Sequence, residues 1–349
     1  MKILHVVRRY GPVGGMERYV WELTRELQQL GHEVEVLCEA CLAEKPPGIT
    51  VHELGTIALR PRWLGLLRFG WRVADWLQAH PHAGWVIHSN ERLNLHHVTT
   101  FHGPPFATVR DKPWWKRVSL RVAMQLYLER RELEQAREIV PNSQVIREML
   151  AHYYPYLSNK LTVPIVPGVA GGVVRAPRCV PPDGGVIGFV GKEWQRKGLP
   201  FAAEIVARLR RIRPNLELWV SGPQPEEIRH LFAGWQGGYR LLGWCAQAPY
   251  ASFDVLLHPA RAEPYGMVIS EAMAAQVPAV ISDVCGAAAH VTPQAGAVLA
   301  LDAGTEAWAQ AVESQLQRND APPQFARSWR EMAQEYETIY REIPATELK

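Results

Sequence analysis

Hydrophobic and polar positions alternate along this chain in blocks of two kinds. Ile3 to Val7 is an apolar run interrupted only by His5, the pattern of a strand covered on both faces. A loop containing Gly and Pro follows, Tyr10-Gly11-Pro12-Val13-Gly14-Gly15. Apolar residues then recur at Met16, Val20, Leu23, Leu27 and Leu30, in steps of three and four that mark a helix with one buried stripe. Gly31 suits the end of that helix, where a left-handed residue is needed. Val34 to Leu37 reads as the next strand. A strand-loop-helix-strand unit predicts a parallel sheet wrapped by helices, an α/β fold. The alternation continues through Trp85–His88, His97–Phe101 and a long helix over roughly 113–138. Ile139-Val140-Pro141 is a further strand, with Asn142 or Ser143 as the N-cap of the helix after it.

Residues 164–185 break the pattern. Pro164, Pro167, Gly168, Gly171, Gly172, Pro177, Pro181, Pro182, Gly184 and Gly185 give this stretch the composition of a linker. The strand-loop-helix pattern restarts at Val186–Gly191, with later strands at Leu216–Val220, Val255–Leu257 and Ala279–Ile281. A chain of 349 residues exceeds the size at which one core usually keeps growing. Two α/β domains of similar size are expected, over 1–166 and 167–324, with a cleft between them. A final helix over about 325–342, in the segment 325–349, carries Phe325, Trp329, Met332, Tyr336 and Tyr340. So long an aromatic stripe suggests docking on another element, back across the cleft on the first domain.

Composition narrows the function classes. Hydrophobic residues make up 47% and charged residues 21%, which is globular. Lys and Arg number 38 against 35 Asp and Glu, too balanced to argue for nucleic acid but compatible with phosphates or an anionic surface. The five cysteines are scattered; Cys38-x-x-Cys41 lacks a second pair and sits at a strand end, so free thiols in a reducing compartment fit better than a metal or redox site. The short N-terminal apolar run is followed by Arg8 and Arg9, unlike a signal peptide, and no apolar run reaches the ~18 residues of a membrane span. The expected location is the cytoplasm, or the cytoplasmic face of a membrane.

The stretch Glu263-Pro264-Tyr265-Gly266-Met267-Val268-Ile269-Ser270-Glu271 carries the most chemistry. It follows the strand Val255–Leu257, and Pro264 is placed to start a helix. Unpaired amides of residues 265 to 268 would then bind a diphosphate through hydrogen bonds and the helix dipole, and Gly266 would let a phosphate approach. One carboxylate could hold sugar hydroxyls and the other ribose hydroxyls, since a carboxylate accepts two bonds from a vicinal diol. A capped core helix with two solvent-facing acids has the same spacing. A second loop, Gly191-Lys192-Glu193-Trp194-Gln195-Arg196-Lys197-Gly198, follows the first strand of the second domain, and its cations could neutralise a leaving diphosphate; a solvated basic turn reads alike. Gly14-Gly15 precedes a helix without the full G-x-G-x-x-G spacing. His102, after the strand ending at Phe101, reads as a cleft residue or as a hydrogen-bonded structural histidine. There is no D-x-D triplet to clamp a metal-bound diphosphate, so Lys197, Arg196 and helix amides would take over the metal's charge role.

With these residues the chain resembles the retaining glycosyltransferases of family 4, which have the GT-B fold of two Rossmann-like domains and carry an E-x7-E motif. The similarity covers nearly the whole chain and is strongest over 186–300 and at Gly14-Gly15. Glu263 and Glu271 are the only glutamates at the motif's spacing. The resemblance implies that Glu263 contacts the donor sugar and Glu271 the ribose, and that the amides of Gly266, Met267 and Val268, beside Tyr265, bind the diphosphate. It implies phosphate contacts from Lys197, with Arg196 beside it, and from Lys192, where the family often has Arg. His102 would lie near the transferred sugar. Family reactions retain anomeric configuration, on the usual account by front-face attack with the leaving phosphate as base; with the D-x-D clamp missing, no metal cofactor is expected. UDP-glucose or a related UDP-hexose is the expected donor.

Within the family the chain looks most like bacterial transferases that extend the lipopolysaccharide core, which implies a glycan or glycolipid acceptor on the first domain. That domain offers Arg60, Arg62, Trp63, Leu66, Leu67, Arg68, Trp71 and Arg72, then Trp114-Trp115-Lys116-Arg117 and Arg121. Basic residues interleaved with Trp suit an anionic membrane surface or a phosphorylated glycan; an amphipathic helix with Trp in the core and Arg in water reads the same way. Two other functions stay open at this point: a non-catalytic nucleotide or glycan sensor on the same scaffold, and a nucleotide-sugar epimerase.

Overall fold

The computed structural model describes residues 1–57, 60–176 and 179–343. Pro177 of the expected linker and residues 344–349 of the expected C-terminal segment lie outside the described residues. The chain forms two compact units: Met1–Gly168 with the segment that begins at Arg327, and Val169–Ala326. The division falls just past the expected position at 166.

The first unit is built on β1 (Lys2–Val6), β2 (Glu33–Cys38), β3 (Ile49–Glu53), β4 (Val86–Ser89), β5 (Val98–Phe101) and β6 (Glu138–Pro141). All pair in parallel, in the order β3-β2-β1-β4-β5-β6. The central strands are largely apolar, with His5, His88, Thr99 and Thr100 as buried exceptions, because helices cover both faces: Leu4, Val6, Leu37 and Ile87 pack against Phe69 and Val73 of α2 (Arg62–Ala79). The edge strand β3 escaped the sequence reading because an edge strand needs no continuous apolar run, and Thr50 and Glu53 are exposed.

Helix α1 (Gly15–Gln29) buries more than its predicted stripe. Glu17, Tyr19, Trp21 and Thr24 are buried as well as Val20, Leu23 and Leu27. The causes are two further neighbours: the C-terminal helix of the chain, whose Tyr336 meets Tyr19, and the segment Arg9-Tyr10, which meets Glu17, Trp21 and Thr24. Two further helices, α3 (Leu120–Gln135) and α4 (Gln144–Tyr153), complete the order around the sheet. Helix α3 starts later than the expected 113, because Ser119 caps it by accepting a bond from the Val122 amide at 3.2 Å. Ahead of it Trp114–Lys116 make a separate 3-10 turn, and the whole run 111–120 is exposed. Of the two residues proposed to cap α4, Ser143 does so.

The second unit repeats the plan with β7 (Gly184–Val190), β8 (Asn215–Ser221), β9 (Tyr239–Gly243), β10 (Val255–His258), β11 (Ala279–Ser282) and β12 (Gly296–Leu299), in the parallel order β9-β8-β7-β10-β11-β12. Helices α5 (Leu199–Leu209), α6 (Met267–Ala274) and α7 (Gly304–Leu316) cover it. Its core joins Ile187, Phe189, Leu218 and Leu257 to Leu199 and Val206 of α5 and to Trp308 and Val312 of α7.

The last helix, α8 (Trp329–Glu342), belongs to the first unit. Ser328 opens it with a capping box to Glu331, and Trp329, Met332, Tyr336 and Tyr340 are buried. Phe325, expected on this helix, lies ahead of the cap; its amide bonds the Met273 carbonyl and its ring stands 5.5 Å from that of His290. Among the described residues no helix is long and apolar enough to cross a membrane, and the five cysteines are free.

His5, at the centre of β1, is wholly buried, and neither ring nitrogen has a hydrogen-bond partner among the described residues. Burial lowers its pKa to about 3. The unfolded chain takes up this proton near pH ~6.5, so between the two values it binds more protons than the folded state. The histidine's contribution to stability is therefore complete above the unfolded pKa and is lost as pH falls toward the folded one. Glu91 and Glu132, raised by burial to about 7 and about 8, act with the opposite sign, so a difference measurement is needed. We predict that the stability of wild type relative to His5→Leu falls by ~1 kcal/mol per pH unit between pH 6 and 4 in urea unfolding. Parallel pH slopes for the two proteins would show that His5 takes up its proton in the folded state.

Candidate active site

In the second sheet β7 has β8 on one side and β10 on the other, so the chain leaves these neighbours in opposite directions. Ligands of open α/β sheets bind at that point, beyond the strand ends. The two loops here are Gly191–Gly198, after β7, and Pro259–Gly266, after β10. They are bonded to each other: the Arg261 amide donates to the Arg196 carbonyl at 2.9 Å, and the Arg196 guanidinium donates to the Ala262 carbonyl. Gly191 has φ +149, and a Cβ there would strike the folded-back Lys197 side chain. Glycine at this position thus lets the lysine reach the second loop.

The lysine ends on Glu263, with Nζ 3.0 Å from Oε2. Arg196 Nη1 stands 3.6 Å and His258 Nε2 3.4 Å from the same oxygen. Glu263 is only 8% exposed, and burial by itself would raise its pKa. The His258 hydrogen bond and the charges of Lys197 and Arg196 outweigh burial and hold the carboxyl well below the usual carboxylate range. His258 is itself buried, which lowers its pKa and keeps it neutral. Since a carboxylate only accepts, the proton of this neutral ring belongs on Nε2.

The expected helix start needs correction. Pro264 does not open it; Gly266, left-handed at φ +97, interposes, and α6 begins at Met267. Glu263 stands ahead of the helix in an extended bridge with Cys285, whereas Glu271 lies within it. The Glu263 and Tyr265 carbonyls accept the Gly286 and Ala287 amides at 3.0 and 2.8 Å, which ties the segment to the loop after β11. Of the amides expected in the first turn, those of Met267 and Val268 are in it, and those of Tyr265 and Gly266 precede it. The buried Tyr265 hydroxyl meets Ser270 Oγ at 2.8 Å. Glu271, inside α6, accepts the Tyr250 hydroxyl at 2.5 Å. Lys192 is exposed at the head of the first loop.

The remaining predicted residues lie in the first unit. Gly14 is the extended N-cap of α1 and Gly15 its first residue. A Cβ at Gly14 would collide with the buried Glu17 carboxylate, which pairs with Arg9. His102 follows β5; its Nε2 bonds Asn90 Oδ1 at 2.9 Å, its carbonyl accepts from Asn142 Nδ2 at 3.3 Å, and burial lowers its pKa to about 3. The sequence reading missed His258, although its place at a strand end five residues before Glu263 was a signal. It also missed the ion cluster at the corresponding strand ends of the first sheet, where Arg8 pairs with Glu39 at 2.9 Å and its amide donates to Glu91 at 3.1 Å. Arg8-Arg9 directly after the first strand was the available clue.

Residues 13–169 match the sequence profile described as Glycosyltransferase Family 4, and residues 184–318 match that of Glycosyl transferases group 1. A D-inositol 3-phosphate glycosyltransferase of Segniliparus rotundus is 27% identical over 88% of this chain and 77% of its own length. The crystal structure of WaaG, a glycosyltransferase involved in lipopolysaccharide biosynthesis, is similar with a TM-score of 0.77 at 19% identity, covering 96% of this chain and 94% of that one. HepE from Anabaena, in complex with UDP-glucose, matches with a TM-score of 0.70 at 18% identity, over 98% of this chain and 100% of that one. The structural likenesses carry the fold, two parallel α/β units of the GT-B type, and the two profiles cover most of the sequence: the chain belongs to the family 4 glycosyltransferases.

Proposed function

We propose that this glycosyltransferase moves a hexose from a UDP-sugar to a glycan or glycolipid acceptor, of the lipopolysaccharide-core kind, with retention of configuration and without a metal. The carrying observation is the convergence of Lys197, Arg196 and His258 on one oxygen of the buried Glu263. A carboxylate held so far below its usual range is a weak base and a weak nucleophile, but a good acceptor for sugar hydroxyls. That favours front-face attack over a covalent glycosyl-enzyme. The acceptor oxygen bonds the anomeric carbon on the face from which the phosphate oxygen departs, and the acceptor's proton passes to that phosphate. Lys197 and Arg196, 3.0 and 3.6 Å from Glu263, are the cations for the departing diphosphate, with Lys192 and the amides of Gly266, Met267 and Val268 beside them. Glu271 takes the ribose diol while Tyr250 holds one of its oxygens. His102, neutral, hydrogen-bonds the transferred sugar, and Gly14-Gly15 lie close to the donor. UDP rather than another nucleotide rests on the likeness to HepE, and the lipopolysaccharide-type acceptor on that to WaaG.

We further propose that the first unit meets an anionic membrane surface. Trp71, Trp114 and Trp115 are 54, 66 and 62% exposed, so these tryptophans do not fill the core as an ordinary amphipathic helix would have them do. Lys116, Arg117 and Arg121 are exposed beside the last two. Indole rings among cations suit the interface of an anionic bilayer.

Three outcomes check these readings. In thermal unfolding, UDP at 100 times its Kd adds about 2.7 kcal/mol and raises Tm by several degrees, equally with and without EDTA. A shift abolished by EDTA and restored by Mg²⁺ would refute the metal-free reading, and a larger shift with GDP would refute the base. Glu263→Gln lowers kcat by about 100-fold while nucleotide affinity stays within about threefold; Glu271→Ala weakens nucleotide binding by 10- to 100-fold, roughly the worth of hydrogen bonds to a charged group. The reverse pattern in calorimetry and steady-state kinetics would exchange the two roles. In sedimentation with vesicles containing anionic phospholipid, Trp114→Ala with Trp115→Ala reduces the bound fraction several-fold, and neutral vesicles bind little at any salt concentration. Equal sedimentation of variant and wild type would remove the membrane from the account.

A further inference from the structure

Five buried side chains of the first unit form one hydrogen-bonded chain. Tyr340 Oη lies 2.6 Å from His88 Nδ1, and His88 Nε2 lies 2.7 Å from Thr100 Oγ1. Thr100 Oγ1 lies 2.6 Å from Tyr336 Oη, which lies 2.8 Å from Tyr19 Oη. Tyr19 ends the chain on the Ile165 carbonyl at 2.9 Å. None of the five side chains is more than 2% exposed.

The direction of every proton follows from the last link. A carbonyl only accepts, so the single hydroxyl proton of Tyr19 points at Ile165. Tyr336 must then donate to Tyr19, and Thr100 to Tyr336. Thr100, its proton spent, accepts from His88 Nε2–H. A neutral imidazole has one N–H and one lone pair, so Nδ1 accepts from Tyr340. Burial lowers the His88 pKa, which agrees with the neutral ring this order requires. Every proton and every lone pair used has one partner, and no link can be reversed alone.

The ordered chain ends beside a residue placed above at the reaction. The Tyr19 ring stands nearly perpendicular to the His102 imidazole, with centroids 4.9 Å apart and planes at 80°. Asn90 fixes one nitrogen of that imidazole and the Tyr19 ring packs against it. Tyr19 is in turn held by the hydroxyl of Tyr336 on α8. We infer that Tyr336 is a positioning residue for His102: its hydroxyl, oriented by Thr100 and His88, locks Tyr19 in the place that sets the imidazole plane. The inference rests on the reading that His102 contacts the transferred sugar.

The test is a double-mutant cycle in kcat, read together with donor KM and UDP affinity. Tyr336→Phe removes only the hydroxyl and is expected to lower kcat about tenfold, the scale of one lost hydrogen bond, while UDP affinity stays unchanged. In the His102→Ala background the same substitution has no further effect on kcat, because the residue it positions is gone. Thr100→Val lowers kcat in the same way, and Thr100→Ser, which restores the hydroxyl, recovers most of the loss; this pair carries the cycle if Tyr336→Phe does not fold. An equal loss in both backgrounds, or no loss in either, overturns the positioning role while the His102 reading stands on the slow His102→Ala enzyme. Full activity of His102→Ala overturns the reading of His102 and this inference with it.

Discussion

Parallel strands cannot be joined by tight turns; each connection must carry the chain back over a face of the sheet, and right-handed crossovers keep that growth running one way. In each unit the chain builds three strands outward, then returns to the other side of the first and builds three more. At the return, two neighbouring strands end together while their loops part. Backbone groups there have no further strand to bond, and a gap opens beyond the sheet. The residues that make this protein an enzyme candidate gather there in the second unit, and the Arg8–Glu39–Glu91 cluster occupies the equivalent place in the first.

Within the second unit's gap the electrostatics are balanced rather than simply attractive. Taking a carboxylate out of water is costly, and Glu263 bears that cost only because a neutral histidine and two cations converge on one of its oxygens. The same arrangement fixes where Lys197 points. A lysine free in solvent would sample many rotamers before meeting a phosphate; one held by a buried acid has already given up that freedom.

How much of this was legible in the sequence depended on how local the cause was. The central strands announced themselves because burial on both faces favours largely apolar runs, whereas β3, β9 and β12, at the sheet edges, did not. The spacing of Glu263 and Glu271 could be read directly, but the left-handed Gly266 that separates Glu263 from the helix could not, since a glycine permits that conformation without announcing it. The wider buried face of α1 was hidden for a different reason. Tyr19 looks like a surface position until a helix from the far end of the chain is laid against it, and Thr24 until the Tyr10 hydroxyl meets its own. Tyr250 acts through a partner on another element, and nothing in its own neighbourhood marked it, whereas His258 bonds a residue only five positions on and its strand-end place was the clue.

That distant helix has a consequence for the order in which the protein can be made. A ribosome releases residues 1–168 long before it reaches α8, yet Tyr19, Thr100 and His88 have their hydrogen-bond partners on α8. Until Trp329–Glu342 emerges, a nascent first unit holds these polar groups against a seam that only water can fill. The second unit, contiguous from Val169 to Ala326, has no such debt and can close its core first. The part synthesised earliest is thus the part completed last, and its exposed seam is where a nascent-chain chaperone would find something to hold.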